Sequence, residues 1–556
     1  MHQKNLTIKK IFNLALQTHQ KNNFKVAENL YNKILKIDPN NFQTIFLLGT
    51  LSTQISNFKK AKYLLTKIVK IQPNHFDAHN NLGIAFKGLG EYKNAMNSYQ
   101  KALSIKPMHA PAYNNIGNIF KEIGEYNNAI QAYEKAIQIK SSYADAHNNL
   151  GLIFQKMKEF TKATNAFQKA IRIMPTHIQA NKNLGNIFKE QGKFKEAIEF
   201  YQKAIKYEPE DFLTFYYLSD LEKKILNLKL KKKINKCLKD KKQTNINIAY
   251  GNFLLSRYEV KTKNHEKELK YLIKGHDYYF KSNKDQFEKQ LKYWLKELPN
   301  SNKLLNLSAP NNKDNYKIKP IFIVGLPRCG STLIEKIIAS GEKYIPMGEE
   351  TEIINFFVKQ EITQNQSIMT KIEILQEKII NKYKEKNLVN ADSDYTFTDK
   401  SLDNFFYIDL IKMIFPNAKV INCKRNSLSS IISILKNNLT GLAWAHNLNH
   451  IFEYFNIYYK IIEKFKKKYP NYIYELELEN FVSNPIAESK KLLNFCNLKW
   501  NKKCLEFYKR KDLTSQTASN IQIRQAIYKD KLNKYYPYKK MLNKYKNKYD
   551  WFRQNY

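Results

Sequence analysis

The chain has 556 residues, 43% of them apolar, which suits two or more globular domains and excludes a disordered chain. Its net charge of +43 invites an anionic partner, but lysine, asparagine and isoleucine are abundant everywhere, so the charge reads as a chain-wide bias and no nucleic-acid partner is expected. Five cysteines without C-x-x-C spacing, no apolar run of about 18 residues and no signal-like N-terminal core argue against a disulfide scaffold, a membrane partner or secretion, and point to a soluble cytoplasmic protein.

The first half is periodic. Proline recurs at 39, 73, 107, 175 and 209, with Ser141 in the vacant register, a period of 34. Gly49, Gly83, Gly117, Gly151 and Gly185 keep the same period, as do Ala27, Ala61, Ala95, Ala129, Ala163 and Ala197, small residues suited to closely approaching helices. The pattern resembles the tetratricopeptide repeat, two antiparallel helices per unit, with about six repeats over residues 6–224. Such arrays stack into a right-handed α-solenoid with a concave groove, and a protein or peptide partner is expected there. Asn81, Asn115, Asn149 and Asn183 each precede a repeat glycine by two residues. They resemble the asparagine row of the O-linked N-acetylglucosamine transferase solenoid, which implies a peptide-binding groove whose amides hold an extended backbone. In a chain so rich in asparagine, the alternative is four solvated side chains.

Residues 225–315 open with LKLKKKINKCLKDKK, continue with helical spacing and end in SAPNNKDNYK, a helical connector followed by a linker. The lysine run reads as a solvated face.

From residue 316 to 556 short apolar strands alternate with helical segments, the pattern of a parallel α/β sheet that holds ligands at the carboxyl ends of its strands. PIFIVGLPRCGSTLIEK, residues 320–336, has the frame of a nucleotide phosphate loop in Gly325, Gly330 and Thr332. The lysine of that motif is absent. Ser331 stands in its place, and Arg328 lies inside the turn. Of the 93 basic residues only seven are arginine, so an arginine in this chain points to a use for the planar fork.

The set GLPRCGSTL, MGEETEI, FTDKSLDNFFYIDLIKMIFPNAKVINCKRNSLSSIISI and TASNIQIRQAIY resembles the tetratricopeptide-containing sulfotransferases, relatives of protein-tyrosine sulfotransferase. The resemblance covers about residues 316–540 and implies a P-loop-like α/β sulfotransferase domain after the solenoid. It implies 3′-phosphoadenosine 5′-phosphosulfate as co-substrate, with no metal. In that family the loop Arg328, Cys329, Gly330, Ser331 and Thr332 holds the donor's 5′ side. Arg425 and Ser433, eight residues apart, hold its 3′ phosphate, and Arg524 matches, more loosely, a basic residue that closes over the nucleotide. Lys400, 25 residues before Arg425, matches the lysine that stabilises the sulfuryl group. For the catalytic base, Glu350 fits by motif and Glu349 by residue count from Arg328. One departure is Leu478, where the family often carries a nucleotide-contacting tyrosine. His446 and His450, like His75 and His79, stand four apart and read as packing or surface pairs. The acceptor hydroxyl stays open among a protein tyrosine, a sugar hydroxyl and a small phenol. So do two rivals: a noncatalytic repeat scaffold carrying a relic domain, and an NTP-dependent phosphate-loop enzyme.

Overall fold

The computed structural model describes residues 2–240, 242–301, 318–341, 345–364, 372–386, 388–389, 395–510, 524–527 and 535–554. The stretch at 308–317 expected to be a linker, and residues 517–523 and 528 of the last motif, lie outside them. Two compact units divide the chain: residues 1–187 with 199–208, and residues 188–198 with 209–556.

The first unit is a solenoid of helix pairs, typically 13 residues followed by 14, as in Ala110–Glu122 with Tyr126–Ile139 and Ala144–Lys156 with Phe160–Ile173. The periodic residues explain the pairing. All six repeat alanines are fully buried between helices. A Cβ placed on Gly117, Gly151 or Gly185 would lie 2.6, 2.7 or 2.7 Å from the ring of Tyr133, Phe167 or Tyr201, so the glycine is the seat on which the second helix's aromatic ring packs. The link inside each pair needs one left-handed residue, and Asn22, Ser56, Gly90, Gly124, Lys158 and Gly192 supply it at φ between 55° and 85°. These six positions also recur every 34 residues, a signal hidden because only half of them are glycine.

The second unit begins its own helices with Phe212–Leu221, Leu228–Cys237, Asn245–Lys261 and His265–Ser282. Its five-stranded sheet comprises β1 (Ile318–Gly325), β2 (Met347–Glu349), β3 (Tyr395–Lys400), β4 (Lys419–Lys424) and β5 (Ile473–Glu477). The order is β2-β3-β1-β4-β5 and every pairing is parallel. Ile321, Phe322, Ile323 and Val324 of the central β1 are all 1% exposed or less, the continuous apolar run that a strand covered on both faces requires. After β1 the chain builds β2 and β3 on one side and β4 and β5 on the other. The strand order therefore reverses beside β1, and the carboxyl end of β1 is the place where such sheets hold ligands.

Candidate active site

The turn after β1 forms a tight cradle. Gly325 has φ 147° and Gly330 φ 93°. A Cβ on Gly325 would lie 2.5 Å from the Cys423 carbonyl oxygen, and one on Gly330 would lie 2.6 Å from Leu478 Cδ1, so neither position accepts a side chain. Arg328 sits between them in the left-handed region, at φ 69°. Helix Ser331–Ala339 starts directly after Gly330, so the positive end of its dipole lies at the turn, and Ser331 and Thr332 are buried at that end. Cys329 is buried beneath the turn, and its thiol is hydrogen-bonded to that of Cys423 and to Ser331. The bond from Cys423 is the main cause that pulls the Cys329 pKa down.

Two arginines from separate loops meet here. Arg328 Nε donates to Ser433 Oγ at 3.0 Å, and Arg425 Nη1 donates to the Arg328 carbonyl oxygen at 3.2 Å. Ser433 is buried on helix Ser427–Asn437, which begins just beyond the end of β4. The Arg425 guanidinium also lies 5.8 Å from the Tyr535 ring, a residue the sequence reading did not single out. At Leu478, the apolar side chain packs against Gly330.

On the other side of β1 the sheet register sets Glu349 directly beside Lys400. Lys400 is 2% exposed, and its Nζ reaches Glu349 Oε1 at 2.7 Å, Thr332 Oγ1 at 3.2 Å and Glu335 Oε2 at 3.5 Å. Burial alone lowers a lysine pKa, but the Glu335 and Glu349 charges outweigh it and hold Lys400 above its ordinary value. Glu335 is fully buried and was not anticipated from sequence. Glu350 differs from its neighbour. It is exposed at its surface and adopts a left-handed φ of 51°. Enough protein nevertheless surrounds the carboxyl for desolvation to raise its pKa; Lys400 opposes the rise, and Glu349, Glu352 and Glu335 add to it.

The structure thus brings together Arg328, Cys329, Gly330, Ser331, Thr332, Glu349, Lys400, Arg425 and Ser433 through shared contacts, with Glu350 next to Glu349 in the chain. Arg524 has a different set of partners. Its Nη2 donates to the Glu190 carbonyl oxygen at 2.8 Å, and its guanidinium covers Gly192. The four repeat asparagines form an interlocked ladder. Asn115, Asn149 and Asn183 donate from Nδ2 to the Oδ1 of Asn80, Asn114 and Asn148 at 3.1, 3.0 and 2.9 Å, and Asn81 donates to Thr50 Oγ1 at 3.0 Å. His446 pairs with His276, Nδ1 to Nδ1 at 2.9 Å. Among the described residues no group of three or more His, Cys, Asp or Glu side chains is arranged to hold a metal ion, and no helix is long and apolar enough to cross a membrane.

Comparison with known proteins agrees with this division. Residues 320–502 match the sulfotransferase family, and residues 85–124, 117–158 and 142–207 match tetratricopeptide repeats. An uncharacterized protein of Aquifex aeolicus (strain VF5) is 28% identical over 315 residues, 53% of this chain but only 40% of that relative's length. Solved structures with similarity include MamA (30% identity, 29% of this chain and 95% of that one, TM-score 0.26) and pilF of Pseudomonas aeruginosa (20%, 44% and 97%, TM-score 0.30). A thermophilic tetratricopeptide protein of Thermus thermophilus is also similar (16%, 33% and 98%, TM-score 0.30). At these TM-scores the likenesses carry no structural argument. The matched segments give one organisation: the N-terminal half of the chain carries tetratricopeptide repeats, and the C-terminal half, which holds the cradle and its two arginines, carries a sulfotransferase-family domain.

Proposed function

We propose that the C-terminal unit transfers a sulfuryl group from 3′-phosphoadenosine 5′-phosphosulfate to a hydroxyl acceptor, and that the repeats dock a protein acceptor. The observation that carries this reading is the joined group Arg328, Ser433 and Arg425 beside a phosphate cradle that has Ser331 where a triphosphate loop has lysine. A 5′ phosphosulfate has no terminal phosphate for that lysine to neutralise. It does leave a separate 3′ phosphate, which a guanidinium and a hydroxyl suit well. The turn suits such a donor because its two glycines let it fold closely against Cys423 and Leu478 while the N-terminus of helix Ser331–Ala339 opens directly after it.

Transfer is an in-line displacement at sulfur. The acceptor O–H loses its proton while negative charge grows on the departing phosphate oxygen. Glu350 serves as the base: it is accessible, and its raised pKa makes it a better proton acceptor than an ordinary carboxylate. Glu349 is held by Lys400 and acts as that lysine's partner. Lys400, charged and fixed against Thr332, supports the sulfuryl and bridging oxygens. For a protein acceptor, the Oδ1 atoms of Asn115, Asn149 and Asn183 receive no hydrogen bond among the described residues, so they can accept from a peptide N–H. A protein tyrosine is the acceptor the family resemblance suggests. Five free cysteines favour a reducing compartment such as the cytoplasm.

Labelled donor offered with arrays of tyrosine peptides, phenols and sugars tests the reading. Transfer to one class is expected, with Glu350→Ala cutting turnover about 10²-fold and leaving donor affinity little changed. If Glu349→Ala has that effect while Glu350→Ala does not, the base assignment is reversed. Absence of transfer together with hydrolysis of ATP would replace the sulfotransferase reading by that of an NTP-dependent enzyme.

A further inference from the structure

We propose that Thr351, anchored on Asp399, is a positioning residue that holds Glu350 in its working conformation; this rests on Glu350 being the base. Glu350 and Glu352 both have φ 51°, so the residues on either side of Thr351 occupy the left-handed region that ordinary side chains avoid. Two such residues around one threonine persist only where the surroundings over-determine them. Thr351 supplies that constraint. It is buried, and its Oγ1 donates to Asp399 Oδ2 at 2.6 Å and lies 3.2 Å from Ser401 Oγ. Ser401 Oγ in turn accepts the Glu352 N–H at 2.9 Å. The Thr351 methyl closes the other side, since a Cβ on Gly348 would lie 2.8 Å from Thr351 Cγ2.

Asp399 is itself immobile. It is fully buried and accepts from Tyr383 OH at 2.5 Å, the Ser401 N–H at 3.0 Å and Asn404 Nδ2 at 3.3 Å, in addition to Thr351. Adjacent residues of β3 therefore govern the two groups expected at the reaction. Lys400 contacts Glu349 and Thr332 directly, while Asp399 acts on Glu350 through Thr351. When the Thr351 hydroxyl is removed, the turn loses its tie to Asp399. Its backbone then relaxes toward ordinary φ values and carries the Glu350 carboxyl off line.

Thr351→Val keeps the shape and removes the hydroxyl, and Thr351→Ser restores the hydroxyl. Amide hydrogen exchange over residues 347–353 of the full, ligand-free chain should be at least about 10-fold faster in Thr351→Val than in wild type, and close to wild type in Thr351→Ser. With the acceptor class found by the arrays, kcat of Thr351→Val should fall about 10- to 100-fold, the size of effect expected from displacing a reacting group by an ångström. Affinity for 3′-phosphoadenosine 5′-phosphate should not change, and the acid limb of the kcat profile should move toward an ordinary carboxylate. Unchanged exchange in the valine variant overturns the proposal. So does faster exchange with undiminished kcat, or a serine variant as impaired as valine. A wild-type chain that transfers but owes nothing to Glu350 removes the base assignment, and this inference with it, leaving donor binding to be judged separately.

Discussion

At the scale of single residues, the proposed function gives Lys400 a catalytic duty beside its structural one, and its removal should show both. Its ammonium neutralises Glu335 and Glu349, which are fully and almost fully buried. Removing one partner of a buried pair leaves an uncompensated charge, so Lys400→Met should cost about 3–5 kcal/mol of stability in addition to turnover. Denaturant unfolding of Lys400→Met and of Lys400→Met with Glu335→Gln checks this, since the second change should recover part of the loss. A single variant as stable as wild type would contradict the structural duty. Lys400, Arg425 and Ser433 were singled out in the sequence by the spacings of the sulfotransferase resemblance, and the structure sets them at the ends of β3 and β4 and on helix Ser427–Asn437. Glu335 was not, because on helix Ser331–Ala339 it looks like any helical glutamate until Thr398 and Lys400 are seen to face it. That Glu349 and not Glu350 lies against Lys400 follows from the register of β2 on β3, which no spacing rule supplies.

At the scale of elements, the repeat is held by shape as much as by hydrogen bonds. Gly117→Ala places a methyl 2.6 Å from a Tyr133 ring carbon and should destabilise the chain by about 1–3 kcal/mol, the usual cost of overpacking. Thermal melts should show that Tyr133→Leu, which withdraws the ring, makes the same alanine better tolerated. If Gly117→Ala costs no more in wild type than in the Tyr133→Leu background, the seat for the ring is not what fixes the pair. The asparagine ladder carries a further consequence. Each amide nitrogen is already bonded to the preceding repeat, so alanine at Asn115 should lose about 0.5–1.5 kcal/mol of stability whatever its effect on an acceptor. The glycine and alanine periods were visible in the sequence because each marks a close approach of helices that admits only a small residue. The Asn80, Asn114 and Asn148 partners went unnoticed because their role appears only when repeats stack.

At the scale of the whole chain, the second unit is tied together by contacts between residues far apart in sequence, and one of these makes its stability depend on pH. His276 and His446 are 170 positions apart. His276 Nε2 donates to the Leu435 carbonyl oxygen at 2.8 Å, so its Nδ1 accepts and His446 Nδ1 donates. Burial lowers the pKa of His276 to about 4, and burial with the neighbouring imidazole lowers that of His446 to about 2. Both rings are therefore neutral when folded, and their contribution is complete above the unfolded value of about 6.5 and is lost as pH falls toward 4. Each proton taken up only on unfolding costs about 1.4 kcal/mol per pH unit over that window. Urea unfolding at pH 7.5 and 5.5 should show a drop for wild type that shrinks in His276→Gln. An equal drop in both would place the acid sensitivity elsewhere. His446 and His450 offered only an i,i+4 spacing in the sequence; the true neighbour lies on helix His265–Ser282.

The measurement that bears most directly on the sulfotransferase assignment is calorimetric titration of the full chain with 3′-phosphoadenosine 5′-phosphate, adenosine 5′-phosphosulfate and ATP with Mg²⁺. The 3′-phosphorylated nucleotide should bind tightest, and Arg425→Ala should weaken it by about 1.5–3 kcal/mol, the range for a hydrogen bond to a charged group, while hardly affecting adenosine 5′-phosphosulfate. Tight binding of ATP with Mg²⁺ and none of 3′-phosphoadenosine 5′-phosphate, or an Arg425→Ala loss that is equal for all ligands, would contradict it.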